Sequence, residues 1–294
     1  MTSGPHLVSP VVSTQWLADH LGAEKLVVLD ATAVPSVLPN GKHGYLSGED
    51  AYLIGGHVPG AVFADLIDSF SDPTGPYPFT APAAEGFADA AGALGIDNET
   101  TVVVYDSAVG QWAARVWWLF RTFGYDAVAV LDGGLQKWQA EERETAVGHV
   151  QPVQSSFSTN PRPQLWASKE HVARVVAGEV PAALVCGIPP KEFSGEAGHR
   201  ARLGHIPGSV SVPAGRLVDR ETNALLSDEA LKATLAPVLD EPEIIVYCGA
   251  GIAAASDALA LTIVGHGNVR LYDGSLSEWA ADATAPLVGV EQPA

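Results

Sequence analysis

The chain contains four short apolar runs. They read KLVVLD (25–30), TVVVYD (101–106), AALVCG (182–187) and EIIVYC (243–248). Continuous apolar runs of this length are typical of strands that are buried on both faces of a parallel sheet. We therefore predict four buried strands, each followed by a loop.

Helical periodicity follows these strands. After the second run, apolar residues recur every three or four positions and predict one face of a helix, formed by Trp112, Val116, Leu119 and Phe123. Gly124 then ends the helix. Alternating strands and helices predict an α/β fold in which an open, mostly parallel sheet carries helices on both faces.

The chain repeats itself. GHVPGAVFADL begins at Gly56 and GHIPGSVSVPA begins at Gly204, while Tyr105 corresponds to Tyr247, 142 positions later. LDGGLQKW likewise corresponds to LYDGSLSEW. Landmarks that recur in the same order at nearly constant spacing indicate a duplicated domain.

A polar segment lies between the two copies. Residues 144–166 are rich in Pro, Ser and Gln and have no helical period, so a linker is predicted at residues 144–159. The predicted domains are residues 1–143 and residues 160–294.

Composition limits the partners and the compartment. The formal net charge is −18, whereas nucleic acid and anionic membranes require clustered Lys and Arg, so we expect neither partner. Two cysteines favour a reducing compartment over a disulfide scaffold. With no signal peptide and no long apolar run, we expect a cytoplasmic protein. No cluster of metal ligands appears, and we expect neither a metal nor an organic cofactor.

One cysteine stands where chemistry is expected. Cys248 ends the fourth strand, at the sheet edge where α/β proteins bind ligands. Gly249 and Gly251 allow the following loop to turn its backbone N–H groups inward, next to a helix N-terminus. Such a ring of donors would stabilise a thiolate, or a persulfide whose charge lies one atom further out.

The alternative is that Cys248 is a buried thiol on a tight turn. The repeat argues against it, because the first copy has Asp106 at this position and lacks the Gly-x-Gly spacing. One copy thus keeps a shaped loop with a thiol, while the other has lost it. This asymmetry favours an inactive copy that supports an active one.

The quoted motifs together resemble the tandem-domain rhodanese family, most closely its 3-mercaptopyruvate sulfurtransferases. The resemblance spans nearly the whole chain and implies two rhodanese-like domains. It also implies that Cys248 carries a transferable sulfur as a persulfide. The active loop would be formed by the substrate-binding residues Gly249, Ala250, Gly251, Ile252 and Ala253. His57, in GHVPG, matches a histidine implicated in mercaptopyruvate turnover, although such a turn also uses its histidine structurally.

The loop CGAGIA is uncharged and is nearer to the mercaptopyruvate type than to the charged thiosulfate type. It departs from the family pattern at two positions, where Ala250 replaces a serine and Ala253 replaces a threonine. Each change removes a hydroxyl group from the loop.

A third departure lies at the preceding strand. The family's LVDAR reads LVCGI here, so Cys186 replaces the Asp and Ile188 replaces an Arg that anchors the substrate carboxylate. Arg200 and Arg202 are candidates to replace that cation, and a solvated loop is the alternative for both.

These observations predict a sulfurtransferase that works by double displacement. A small donor, with 3-mercaptopyruvate favoured, would load Cys248, and cyanide, a small thiol or a protein thiol would accept the sulfur. Two alternatives stay open: a thiosulfate:cyanide sulfurtransferase, and a persulfide carrier with weak turnover of small donors.

Overall fold

The computed structural model describes residues 4–37, 41 and 43–290, and it contains two compact units. Neither unit is one contiguous range. Unit 1 comprises Met1–Thr74, Ala81–Arg162 and Asp219–Leu225, and unit 2 comprises Gly75–Thr80, Pro163–Val218 and Leu226–Ala294. The sequence-based bounds, 1–143 and 160–294, stay a prediction, and their outer ends at residues 1–3 and 291–294 lie outside the described residues.

Unit 1 contains seven strands within the described residues: β1 (Val11–Val12), β2 (Leu26–Asp30), β3 (Ala33–Val37), β4 (His43–Ser47), β5 (Val62–Phe63), β6 (Thr101–Tyr105) and β7 (Val128–Leu131). Its helices are α1 (Thr14–His20), α2 (Ala84–Ala93), α3 (Gln111–Thr122) and α4 (Gly134–Ala140), with one π-helical turn at Ala51–Gly55.

The strands of unit 2 are β8 (Trp166–Ala167), β9 (Ala183–Cys186), β10 (Ser209–Ser211), β11 (Ile244–Tyr247) and β12 (Val269–Tyr272). Its helices are α5 (Lys169–Val176), α6 (Pro190–Phe193), α7 (Asp228–Leu235), α8 (Ala253–Ile263) and α9 (Ser275–Trp279), with 3-10 turns at Pro163–Leu165 and Ala214–Arg216.

Each unit is built on one five-stranded parallel sheet flanked by helices. The strand orders are β1-β7-β6-β2-β5 and β10-β9-β11-β12-β8, which are the same order read from opposite edges. The predicted α/β fold, with a parallel sheet in each of two similar units, is therefore confirmed. The antiparallel hairpin formed by β3 and β4 lies outside the parallel sheet and was not predicted.

The four predicted strands occupy the centre of the sheets. β2 pairs with β6 and β9 pairs with β11, so that Asp30 lies opposite Tyr105 and Cys186 lies opposite Tyr247. Both strands of each pair are largely buried, which explains why their sequences are continuous apolar runs rather than alternating ones. The central position brings the two loops that follow β6 and β11 to the carboxyl edge of each sheet.

The predicted linker is irregular but packs against unit 1. Ser155 N–H donates to Gly92 O (2.8 Å), and Phe157 is 7% exposed. The Phe157 ring makes edge contacts with Phe87 and Tyr125, at centroid distances of 5.9 and 5.2 Å. One aromatic side chain therefore holds a segment whose polar composition indicated only a linker.

Candidate active site

Cys248 lies directly after β11, at the carboxyl edge of the central strand of unit 2. Its side chain is nearly buried, with 3% of the residue exposed. The loop then turns through Gly251, whose φ of +77° is a conformation that glycine adopts without a steric penalty, and α8 begins at Ala253. The thiol thus stands where a short loop joins a buried strand to a buried helix.

The peptide groups around Cys248 are held by the turn that opens α9. Cys248 N–H donates to Ser275 Oγ (3.1 Å), and Leu276 N–H donates to Cys248 O (3.0 Å). Ser277 donates to Gly249 O from both its backbone N–H (2.9 Å) and its Oγ (2.8 Å). These four hydrogen bonds fix the backbone from which the thiol projects.

Ser275 is a site residue that the sequence analysis missed. Its φ is +48°, which is uncommon for a residue with a Cβ, and its Oγ also donates to Tyr272 O (2.8 Å). The first copy has Gly134 at this point, with φ +54°. A comparison of the two copies indicates this position, because LYDGSLSEW has a serine where LDGGLQKW has a glycine.

The equivalent loop of unit 1 shows what this turn can bind. The Asp106 carboxylate accepts four backbone N–H bonds, from Ala108 (2.8 Å) and Gly110 (3.0 Å) on Oδ1 and from Trp112 (2.9 Å) and Ala113 (3.0 Å) on Oδ2. Burial raises the pKa of Asp106, and the four N–H bonds oppose that shift. The loop is therefore an anion cradle that its own aspartate fills.

The repeat places Cys248 at the position of Asp106. With the spacing of 142, the four donating residues of unit 1 correspond to Ala250, Ile252, Ala254 and Ala255. The helix that follows each loop starts five residues after Asp106 or Cys248, at Gln111 and Ala253 respectively. The loops differ in which glycine has a positive φ, which is Gly110 in unit 1 and Gly251 in unit 2. A cradle around the Cys248 sulfur stays a prediction, supported by this copy.

The second thiol has a different environment. Cys186 ends β9, is fully buried, and occupies the place that Asp30 has in the first copy. Burial raises the pKa of Cys186 to about 12, so this thiol stays protonated near neutral pH. A protonated thiol is a poor nucleophile, which leaves Cys248 as the candidate.

Asp257 is a second residue that sequence reasoning missed. It lies on α8, is completely buried, and has no hydrogen-bond partner for either carboxylate oxygen among the described residues. Its Oδ2 would lie 2.6 Å from a Cβ on Gly187, next to Cys186. Burial raises the pKa of Asp257 well above its usual range, because nothing nearby compensates the charge.

This unpaired carboxyl predicts a specific pH dependence of stability. The folded pKa of Asp257 lies above the unfolded value of about 3.9, so between the two the folded state keeps a proton that the unfolded state releases. Stability then falls as pH rises, by up to about 1.4 kcal/mol per pH unit for this one group. Asp257→Asn removes the penalty, and we expect its stability advantage over the native chain to grow between pH 5.5 and pH 7.5. Urea unfolding at both pH values measures it, and an advantage that is independent of pH would contradict the assignment.

The two candidate arginines, Arg200 and Arg202, have different contacts. Arg200 Nη1 would lie 3.3 Å from a Cβ on Gly249, so its guanidinium faces the residue after Cys248. Arg202 instead donates from Nη1 to Asp282 O (2.5 Å) and from Nη2 to Ala285 O (2.6 Å). Arg202 therefore holds the backbone after α9, and its role as a substrate ligand has no support in the geometry. Ile188 is buried and supplies no charge at the position where the family pattern has an Arg.

The two GHxPG histidines have matching structural roles. His57 Nδ1 lies 3.0 Å from Tyr52 O and its ring stacks on Tyr52 at 4.0 Å, while its Nε2 is buried and has no partner within the described chain. His205 Nδ1 lies 2.8 Å from Phe193 O and its ring stacks on Phe193 at 3.6 Å. The ring of His57 is fully buried. A catalytic role for it stays a prediction.

Two features are absent from the described residues. No helix there combines the length and the apolar composition that crossing a bilayer requires. The same residues contain no group of three or more His, Cys, Asp or Glu side chains that could hold a metal ion.

Comparison with known proteins decides the family. The model of the rhodanese-like domain matches residues 13–141 and 189–282. The chain belongs to the rhodanese-like domain family. It is 35% identical to the 3-mercaptopyruvate sulfurtransferase of Escherichia coli (strain K12), over 95% of this chain and 98% of that protein. It is 36% identical to the thiosulfate/3-mercaptopyruvate sulfurtransferase 2 of Arabidopsis thaliana, over 95% of this chain and 86% of that one.

A solved rhodanese structure has the same fold. The crystal structure of SseA, a 3-mercaptopyruvate sulfurtransferase from Escherichia coli, superposes with a TM-score of 0.80 at 32% identity, covering 91% of this chain and 99% of SseA. The rhodanese resemblance of the sequence is therefore confirmed. This rhodanese is an enzyme of the sulfurtransferase class, as the sequence predicted.

Proposed function

We propose that this sulfurtransferase uses Cys248 as its nucleophile and 3-mercaptopyruvate as its favoured donor. The observation that carries the proposal is the cradle of unit 1, where four N–H groups bind an anionic side chain at the position equivalent to Cys248. The corresponding N–H groups of Ala250, Ile252 and Ala254 would bind the thiolate before transfer and the persulfide after it. The fourth, that of Ala255, donates to Ile252 O (2.9 Å).

The reaction proceeds in two displacements. The Cys248 thiolate attacks the sulfur of the donor, an S–S bond forms, and the C–S bond breaks with its electrons leaving on the pyruvate enolate, which then takes up a proton. In the second step the acceptor attacks the outer sulfur, and Cys248 leaves as a thiolate. Cyanide as acceptor gives thiocyanate, and a small thiol or a protein thiol gives a new persulfide.

Arg200 is the proposed ligand of the donor carboxylate. Its guanidinium faces Gly249 and therefore lies beside the nucleophile, where the sequence departs from its family at Ile188. Residues Gly249, Ala250, Gly251, Ile252 and Ala253 form the proposed binding loop. The two free thiols and the absence of a membrane-spanning helix from the described residues are consistent with a cytoplasmic enzyme.

We expect Arg200→Met to lower kcat/KM for 3-mercaptopyruvate by about tenfold, because a charge-assisted contact with the carboxylate is lost. The matched control is Arg174→Met, since Arg174 lies in an exposed ion pair with Glu179. Thiocyanate formation from 3-mercaptopyruvate and from thiosulfate measures both variants and the native chain. Equal losses in the two variants would contradict a role for Arg200 in binding.

The same assay chooses among the donors. Higher kcat/KM with 3-mercaptopyruvate supports the proposal, whereas higher kcat/KM with thiosulfate overturns the donor but keeps the mechanism. If neither donor turns over and Cys248 still takes up sulfur from inorganic polysulfide, the chain is a persulfide carrier. The buried Ile188 is the observation that favours this second candidate.

A further inference from the structure

Arg200 does not face the cysteine loop as an isolated cation. Its Nη2 donates to Glu192 Oε2 at 3.0 Å, and Glu192 lies on the short helix α6 that follows β9. Both side chains are partly buried, at 23% and 30% exposure. Gly249, the residue after the proposed nucleophile, therefore faces an ion pair formed by Arg200 and Glu192.

The pair leaves part of the guanidinium available. Glu192 is the partner of Nη2, Nη1 faces Gly249, and the Nε N–H is buried with no hydrogen-bond partner within the described residues. A buried donor without a partner is costly, so the guanidinium has fewer hydrogen bonds than it can form. The carboxylate of Glu192 is likewise able to accept further hydrogen bonds.

A charge pair discriminates between substrates. An anion without a positive charge, such as the donor, gains a charge-assisted hydrogen bond from Arg200, but repulsion from Glu192 makes its binding weaker. A molecule that carries a carboxylate and an ammonium on adjacent atoms satisfies both partners at once. Specificity then comes from repulsion of the singly charged analogue as well as from attraction of the zwitterion.

We propose that Glu192 and Arg200 form a two-charge site that selects an α-amino-acid thiol as the sulfur acceptor, with its carboxylate on Arg200 and its ammonium on Glu192. This inference rests on the proposed persulfide at Cys248. The acceptor thiolate attacks the outer sulfur, the new S–S bond forms as the Cys248 S–S bond breaks, and the Cys248 thiolate is regenerated. The products are the free enzyme and an amino-acid persulfide, and no external oxidant or reductant is consumed.

The test follows the acceptor step alone. The full chain is loaded with sulfur from 3-mercaptopyruvate, thiosulfate or inorganic polysulfide and freed of donor. The decay of the Cys248 persulfide is then measured with three acceptors: cysteine, which has both charges, 3-mercaptopropionate, which has the carboxylate only, and cysteamine, which has the ammonium only. The ratio of variant to native rates is compared for each acceptor, because this ratio cancels the intrinsic reactivity of the thiol.

Two variants carry the comparison. Glu192→Gln removes the charge that faces Arg200, and Glu196→Gln makes the same change at an exposed position of the same loop. We expect Glu192→Gln to slow discharge by cysteine and by cysteamine about tenfold and to leave discharge by 3-mercaptopropionate equal or faster. Glu196→Gln should leave all three ratios near one.

The outcomes separate this proposal from the one on which it rests. If Glu192→Gln changes all three rates by one common factor, or if Glu196→Gln has the same pattern, the two-charge site is overturned while sulfur transfer stands. If no donor loads sulfur on Cys248, the proposed function fails and this inference fails with it. Thermal unfolding of both variants confirms that the comparison is made on folded protein.

Discussion

We expect Cys248→Ser to lower the rate of sulfur transfer to cyanide by at least about 10³-fold, whichever small donor is used. A hydroxyl at the end of β11 cannot form a persulfide, so the covalent route is lost rather than slowed. The substitution changes one atom of a nearly buried side chain, and the backbone bonds to Ser275 and Leu276 remain. Thiocyanate formation measures the activity, and thermal unfolding shows that the variant is folded.

Cys186→Ala is the control for that experiment. Cys186 lies at the end of the neighbouring strand and is fully buried, and this burial holds its thiol in the protonated form, with a pKa of about 12. The variant should retain most of the activity. Activity that survives in Cys248→Ser, or that disappears in a folded Cys186→Ala protein, would contradict the assignment of the nucleophile.

Asp106→Ala is expected to destabilise unit 1 by about 3 kcal/mol, the largest stability effect that we predict. The substitution leaves four backbone N–H groups of a partly buried loop without their acceptor, and it removes the side chain that shapes the start of α3. The desolvation cost of the buried carboxylate, which raises the pKa of Asp106, offsets part of this loss. Urea unfolding followed by tryptophan fluorescence is sensitive to this unit because Trp112, in the first turn of α3, donates its backbone N–H to Asp106.

Asp68→Ala provides the matched control, because Asp68 is an exposed aspartate of the same unit. It should change the free energy of unfolding by less than about 0.5 kcal/mol. Asp106→Asn keeps one acceptor oxygen, so its change in the free energy of unfolding should lie between those of Asp106→Ala and Asp68→Ala. If Asp106→Ala and Asp68→Ala have equal effects, the loop does not depend on the anion, and the argument by analogy for Cys248 loses its basis.

The strands and the strand-end position of Cys248 could be predicted because they follow local rules. A fully buried parallel strand must be apolar along its whole length, so 101–106 and 243–248 were recognisable without any long-range information. The comparison of the two copies then singled out the loop with the thiol, since Asp106 and Cys248 occupy the same position of the repeat. The hairpin of β3 and β4 was not predicted, because an exposed antiparallel pair has no continuous apolar run.

The polar geometry of the site could not be read from one sequence. Arg200 and Arg202 are two residues apart and chemically identical, and only the fold turns one toward Gly249 and the other toward the backbone after α9. Glu192 appeared as an unremarked surface acid until its contact with Arg200 was known. Asp257 gave no signal in the sequence, because a polar residue does not show that its oxygens lack partners. Ser275 was the exception, since its glycine counterpart in the first copy carried the signal.

One measurement tests the central claim most directly. The native chain is incubated with 3-mercaptopyruvate, separated from excess donor, digested without reductant and analysed by mass spectrometry. The account predicts one additional sulfur atom on the peptide that contains Cys248 and none on the peptide that contains Cys186, with cyanide removing it as an equal amount of thiocyanate. An additional sulfur on Cys186, or thiocyanate formed while Cys248 never carries one, would contradict the account.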